Sequence, residues 1–226
     1  MSSNAPQPIV LVHGTRTSAE IWDDQVRTLT AEGHPTIAID LPGHGARVQE
    51  RFTFEGALAA IDAAVTACDR PPLLVGLSLG GYMSLAYAAR HEDRLAGLLL
   101  AGCSTEPRGK PLGTYRRLSR RVVRSLGLDG GSWHVVTDML AALQGYSPVR
   151  DLRGLGLPVW LVNGSRDPLR FGARRYLGAH PGARLHVVPR AGHDVNSHAP
   201  VAFNRILLHA LLDLPRPHLP LAPHRG

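Results

Sequence analysis

Three residues able to share a proton and attack a carbonyl occur in a suggestive order. Ser78 stands between Gly76 and Gly80 in GLSLGG, Asp167 lies in VNGSRDP, and His193 lies in RAGHDV. A serine hydroxyl is a weak nucleophile until a base takes its proton, so it must be held where a histidine reaches it. A carboxylate behind that histidine would hold its tautomer and stabilise the imidazolium. G-x-S-x-G alone is weak evidence in a chain with 24 glycines. It gains weight here because an apolar run ends at Gly76 and a helix-like stretch opens directly after Ser78. The plainer reading of the same residues is a serine that only caps a helix. Acyl chemistry also needs two fixed N–H donors for the oxyanion. Leu79 qualifies at a helix start, where backbone N–H groups are unpaired, and Thr15 of HGT qualifies if its loop curls beside Ser78.

Other reactive side chains have blander readings. Asp40 and His44 in DLPGHG suit a turn that shapes a neighbouring loop. His198 follows His193 closely, but the glycine and strand before His193 favour the earlier histidine. Arg16, beside the HGT loop, is either a pocket cation for substrate or simply exposed. Cys103 suits buried packing better than a reactive thiol. Among 12 histidines no H-x-x-x-H pair with a carboxylate partner occurs, so no metal site and no cofactor are expected.

The elements that must position these groups alternate. Apolar runs at 8–14, 35–41, 72–78, 95–104, 158–165 and 183–189 read as buried strands. Helical patterns lie between them at 18–33, with Ser18 as N-cap and Gly33 as stop, at 53–68 and at 80–91; a last helix spans 200–212. Continuously apolar strands separated by helices imply a mostly parallel, doubly wound α/β sheet of about six strands. Ser78, Asp167 and His193 then all sit at carboxyl ends of strands, where open α/β sheets bind ligands. One connection, from Ser104 to Pro158, runs about fifty residues, far more than a crossover helix needs. It holds YRRLSRRVVRSLGL, a helical pattern with Arg116, Arg117, Arg120, Arg121 and Arg124 on one face and Tyr115, Leu118, Val122 and Leu126 opposite. SWHVVTDMLAALQG follows, with Trp133, Val136, Leu140 and Leu143 at helical spacing. A helical lid insertion over about 106–157 is expected on a single domain of 1–226, with a loosely attached proline-rich tail at 214–226.

Composition sets the outer limits. The chain of 226 residues is 44% hydrophobic and 19% charged, with no apolar run long enough for a bilayer. The start lacks the basic and apolar pattern of a secretory signal, and two cysteines make no disulfide framework. A cytoplasmic protein is expected. The net charge of +7 comes almost wholly from arginine. The arginine stripe reads as a solvated face or as a dock for an acidic partner; without a nucleic-acid motif or interleaved aromatics, no nucleic-acid partner is expected.

With these residues in hand, the chain resembles the α/β-hydrolase superfamily, in particular esterase-like serine hydrolases with an HG-x oxyanion loop. LVHGTRTSAEIW, AIDLPGHGAR, LVGLSLGGYMSLAYAARH, LVNGSRDP and AGHDVNSHAPVAFNRILLHAL stand in family order over roughly residues 8–104 and 150–213. The resemblance implies Ser78 as nucleophile, Asp167 as acid, His193 as base, and the N–H groups of Thr15 and Leu79 as oxyanion donors. Glu106 in GCSTEP is a rival acid, because some relatives place the acid after that strand. Three features depart from the family pattern. The chain begins almost at the HG strand, so a six-stranded sheet without the first two family strands is expected, with PTIAIDL as an edge to be covered or dimerised. Leu77 stands where many relatives carry histidine. The insertion is short for a cap, which implies a shallow or open pocket. The expected activity is hydrolysis of a small ester, lactone or thioester through an acyl-enzyme. Three alternatives stay open: a thioesterase or cyclase serving an acidic carrier protein, a lyase or C–C bond hydrolase, and a non-enzymatic ligand-binding protein with an intact triad. A monomer or homodimer is expected.

Overall fold

The computed structural model describes residues 6–111, 114 and 133–215. The arginine stripe at 115–126 and the tail from 216 onward lie outside the described residues. Six strands form one sheet: β1 (Ile9–Val12), β2 (Thr36–Ile39), β3 (Leu73–Leu77), β4 (Gly97–Ala101), β5 (Val159–Gly164) and β6 (Arg184–Val188). They are all parallel, in the order β2-β1-β3-β4-β5-β6. The chain lays β2 on one side of β1 and then builds outward from β3 on the other. The winding direction therefore reverses between β1 and β3, and the crevice of such a sheet opens at their carboxyl ends. Val12 pairs with Gly76 at that point. β1, β3, β4 and β5 are buried throughout, whereas edge strand β2 is half-buried and edge strand β6 is partly exposed.

Residue alternation along the strands splits the core into two layers. On one face Val10, Val12, Leu74, Leu98, Leu100 and Leu161 meet α2 (Phe54–Thr66) and α3 (Leu79–Ala88). On the other face Ile9, Leu11, Val75, Leu99 and Val162 meet α1 (Asp23–Ala31) and the last helix, Pro200–Leu212, where the Trp22 and Phe203 rings sit 5.9 Å apart. Each such fully buried Leu or Ile contributes about 1.5–3 kcal/mol.

Local signals explain most boundaries, and some expectations need correction. Thr53 caps α2, its Oγ1 accepting from the Gly56 N–H at 3.0 Å. Gly33, at φ 82°, ends the segment after α1 in a conformation glycine adopts without strain. Ser18 makes no capping bond. The Ile21 N–H that a Ser18 side chain would cap donates instead to the Ser18 carbonyl oxygen at 3.1 Å, so the segment starts as a 3-10 turn over Ala19–Trp22, while the Ala19 N–H donates to Asp40 Oδ1 at 2.8 Å. α3 stops at Ala88, short of His91. In the long connection lie α4 (Trp133–Ala142) and the short α5 (Pro148–Arg153). α4 buries Val135 and packs Met139 and Ala142 against the core, with buried Leu143 just beyond it, rather than presenting Val136 and Leu140. The expected stripe runs through Val136 and Leu140; packing against the buried Gly43 loop turns Val135 inward instead. Two short helices, α6 (Ala173–Ala179) and α7 (Val195–His198), precede the long α8 (Pro200–Leu212). Among the described residues no helix is long and apolar enough to cross a membrane.

Candidate active site

β3 must stop and α3 must start within one residue, and three glycines make that turn possible. A Cβ on Gly76 would lie 2.5 Å from the Gly80 carbonyl oxygen, and one on Gly80 would lie 2.3 Å from that of Val12. A Cβ on Gly81 would lie 2.5 Å from Cys103 Sγ. Ser78 itself takes φ 53° and ψ −114°, outside the regions that L residues favour. Backbone strain of this kind costs about 1–3 kcal/mol and persists only where its surroundings over-determine it. Here the Ser78 N–H donates to Ala101 O at 2.8 Å and the Tyr82 N–H donates to Ser78 O at 3.1 Å. Gly80→Ala should therefore destabilise the fold by about 3 kcal/mol or more, since backbone rather than a flexible side chain blocks the methyl. Gly178→Ala in α6, where nothing lies within 4 Å of the added Cβ, should be neutral or stabilising by about 0.5–1 kcal/mol. Denaturant midpoints of the two variants measure this contrast.

The turn aims Ser78 Oγ at the loop after β6. Ser78 Oγ lies 2.8 Å from His193 Nε2, and His193 Nδ1 lies 3.1 Å from Asp167 Oδ2. Asp167 is buried and follows β5; its Oδ1 accepts the Leu169 N–H at 2.9 Å as it caps the 3-10 helix Pro168–Gly172. One carboxylate oxygen is thus tied to its own loop and the other faces the imidazole. The bond to Asp167 raises the His193 pKa above its usual value, against burial, which lowers it. Beneath the ring lies Gly102 at φ 60°, where a Cβ would stand 3.3 Å from His193 Nδ1 and Cε1. Glu106 makes no hydrogen bond to His193 among the described residues; its Oε2 accepts the Val149 N–H at 3.4 Å. His198 accepts the Gly192 N–H at 3.2 Å and shapes the loop ahead of His193.

The loop after β1 reaches the same place. A Cβ on Gly14 would stand 3.3 Å from Ser78 Cβ, so Thr15 follows a residue in van der Waals reach of the serine. His13 organises this loop, a part that sequence reasoning missed. Its Nδ1–H donates to Gly14 O at 2.7 Å while its Nε2 accepts the Leu41 N–H at 3.0 Å, which links the ends of β1 and β2. The only sequence signal was its place beside Gly14 at a strand end. Burial, reinforced by nearby His44, pulls its pKa down to about 4. Folding thus favours neutral His13, and stability is fully present above pH 6.5, the unfolded value. It falls as acid protonates the unfolded chain, by roughly 3 kcal/mol once pH reaches about 4. Unfolding midpoints should drop between pH 6.5 and 4, and His13→Gln should flatten part of that slope.

Asp40 and His44 behave as turn formers. The Asp40 carboxylate accepts the N–H groups of Ala19 and Ala46 at 2.8 and 2.9 Å. His44 is buried with Nδ1 3.0 Å from Pro42 O. Arg16 is exposed at φ 62°. Cys103 is buried, and burial pushes its thiol pKa up. The loop after β4 is held by Tyr176, whose hydroxyl bonds Cys103 O and Thr105 O at 2.7 and 2.9 Å. α4 lies over the opposite side: Met139 Sδ is 2.9 Å from Thr15 Oγ1, and Asp138 takes a two-pronged hydrogen bond from Arg51 at 2.7 and 2.5 Å. Among the described residues no three His, Cys, Asp or Glu side chains are placed to hold a metal ion.

A family model described as the alpha/beta hydrolase family matches residues 9–206, most of the chain. The chain belongs to the alpha/beta hydrolase family. Other members support the assignment. A pimeloyl-[acyl-carrier protein] methyl ester esterase of Neisseria meningitidis is 30% identical over 230 residues, covering 84% of this chain and 88% of that protein. An esterase of Mycobacterium tuberculosis is 25% identical over 248 residues, covering 90% of this hydrolase and 82% of the relative. Among solved structures, an esterase from Exiguobacterium antarcticum superposes with a TM-score of 0.78 at 18% identity, covering 92% of each chain. At that identity the structural likeness speaks for the fold alone.

Proposed function

We propose that this alpha/beta hydrolase is a serine esterase that works through an acyl-enzyme. The observation that carries the reading is the continuous hydrogen-bonded line from Ser78 Oγ through His193 to the buried Asp167 carboxylate. It is supported by the esterase activities in the names of two relatives. His193 Nε2 takes the Ser78 proton as Oγ bonds the ester carbonyl carbon, and the carbonyl oxygen becomes an oxyanion. The N–H groups of Leu79, at the start of α3, and Thr15 receive that charge. His193 returns the proton to the leaving alcohol as the C–O bond breaks. Water, deprotonated by the same histidine, then attacks the acyl-serine; the acyl–Oγ bond breaks, His193 returns the proton to Ser78 Oγ, and the acid leaves. Asp167 holds His193 with Nδ1 as donor. α4 and α5 act as a short lid, with Met139 against the oxyanion loop and the Arg51–Asp138 pair as its outer tie. A cytoplasmic location accords with the unpaired Cys68 and Cys103.

The substrate has a second level. The Neisseria relative is named for an ester on an acyl-carrier protein, and the arginines at 116, 117, 120, 121 and 124 would suit an acidic carrier. On this reading, neutralising the five arginines raises KM for a carrier-bound ester and spares a small free ester; an equal change for both rejects the carrier. The parent reading is tested with a panel of p-nitrophenyl esters, lactones and acyl thioesters. Turnover of an ester is expected, and a folded enzyme that turns over no class overturns the esterase assignment.

A further inference from the structure

A second cleft lies away from Ser78, along the exposed side of β6. It encloses about 410 Å3, within the size range of small-molecule sites. Phe171, Leu185 and Val187 form its apolar surface, Arg170 and Arg174 supply guanidinium groups, and Asn163 lies at its inner end. Phe171 is 74% exposed and Val187 47% exposed, two of the five large apolar side chains most open to water among the described residues. Neither arginine forms an ion pair with a carboxylate among the described residues; Arg170 lies over the Phe171 ring at 4.6 Å. Asn163 is already satisfied by Ser104, with its Nδ2–H donating at 3.0 Å. Apolar surface left open beside two unneutralised cations has the character of a site for an anion with a hydrocarbon tail. A second copy of the chain fits poorly, because a two-fold interface would set the same arginines against one another.

We propose that this cleft binds an amphipathic carboxylate, its hydrocarbon tail against Phe171, Leu185 and Val187 and its carboxylate between Arg170 and Arg174. The binding chemistry is independent of the reaction at Ser78. Only the source of the ligand rests on the esterase reading, since ester cleavage releases an acid of this class. The cleft shares the 3-10 helix Pro168–Gly172 with the active site, because Asp167 caps that helix.

Octanoate titrated by calorimetry into enzyme whose Ser78 has been blocked with a fluorophosphonate tests the proposal. Binding of one equivalent is expected, with octanol and acetate each weaker by about tenfold or more, because one lacks the charge and the other the tail. Arg170→Gln/Arg174→Gln and, separately, Phe171→Ser should each weaken octanoate by about tenfold while leaving the melting temperature near that of wild type. Unchanged affinity in the double variant, equal binding of octanol, or no binding to the blocked enzyme overturns the proposal. So does light scattering that finds a dimer unable to bind octanoate. If the fluorophosphonate fails to block Ser78, that result counts against the esterase reading. The cleft is then judged on unblocked wild type against the double variant.

Discussion

Ser78→Ala lowers kcat for an ester substrate by about ten-thousand-fold or more, a loss of about 5–6 kcal/mol of transition-state stabilisation. The acyl-enzyme cannot form without Oγ, and the nearest replacement is a water that no covalent bond holds in place. Some catalysis over the solution reaction should survive, because the oxyanion donors proposed at Leu79 and Thr15 are untouched by the substitution. KM should change little, since the alanine leaves the glycine-lined turn and its backbone bonds in place. Alanine also meets the same backbone strain at φ 53°, so the variant should fold with a melting temperature close to that of wild type. Steady-state kinetics and a melting curve on one preparation separate lost chemistry from lost structure.

Asp167→Asn should lower kcat by about a thousand- to ten-thousand-fold with the fold retained. Oδ1 can still accept the Leu169 N–H, and the buried amide then turns an NH2 toward His193 Nδ1. An NH2 donor favours the tautomer whose proton sits on Nε2, which cannot accept from Ser78. The pH profile carries a second signature. In wild type the Asp167 bond holds the His193 pKa above its usual value. Activity requires neutral His193, so the acid limb of kcat/KM lies above pH 6.5, the ordinary value for histidine. In the variant the raising interaction is gone and burial remains, so the limb moves to lower pH. A loss of kcat with an unmoved limb would mean that the carboxylate does not address the histidine.

The sheet was legible in the sequence because its strands are short, the four inner ones are apolar on both faces, and glycine, proline or charged turns bound them. All six fall inside the expected runs. The order of Ser78, Asp167 and His193 was equally legible, since each stands just past a strand in a parallel sheet, where all carboxyl ends share one edge. What escaped detection depends on contacts between distant segments. Ser18 looked like a cap, but the Ile21 N–H it would serve is taken by its own carbonyl oxygen in a 3-10 turn. The buried stripe of α4 depended on the loop beneath it: a Cβ on Gly43 would stand 3.0 Å from Val135 Cγ2. His13 looks like any turn residue until Leu41 is brought to its Nε2. The β6 cleft needed the side chains of two segments, 170–174 and 185–187, whose proximity no local pattern encodes.

Covalent titration with a fluorophosphonate tests the assignment of Ser78 as the nucleophile. One phosphonyl group per chain is expected, found by peptide mass spectrometry on Ser78 alone, with activity lost in proportion to labelling. Full ester turnover by enzyme whose Ser78 is completely modified, or inactivation with the label on another residue, would contradict it.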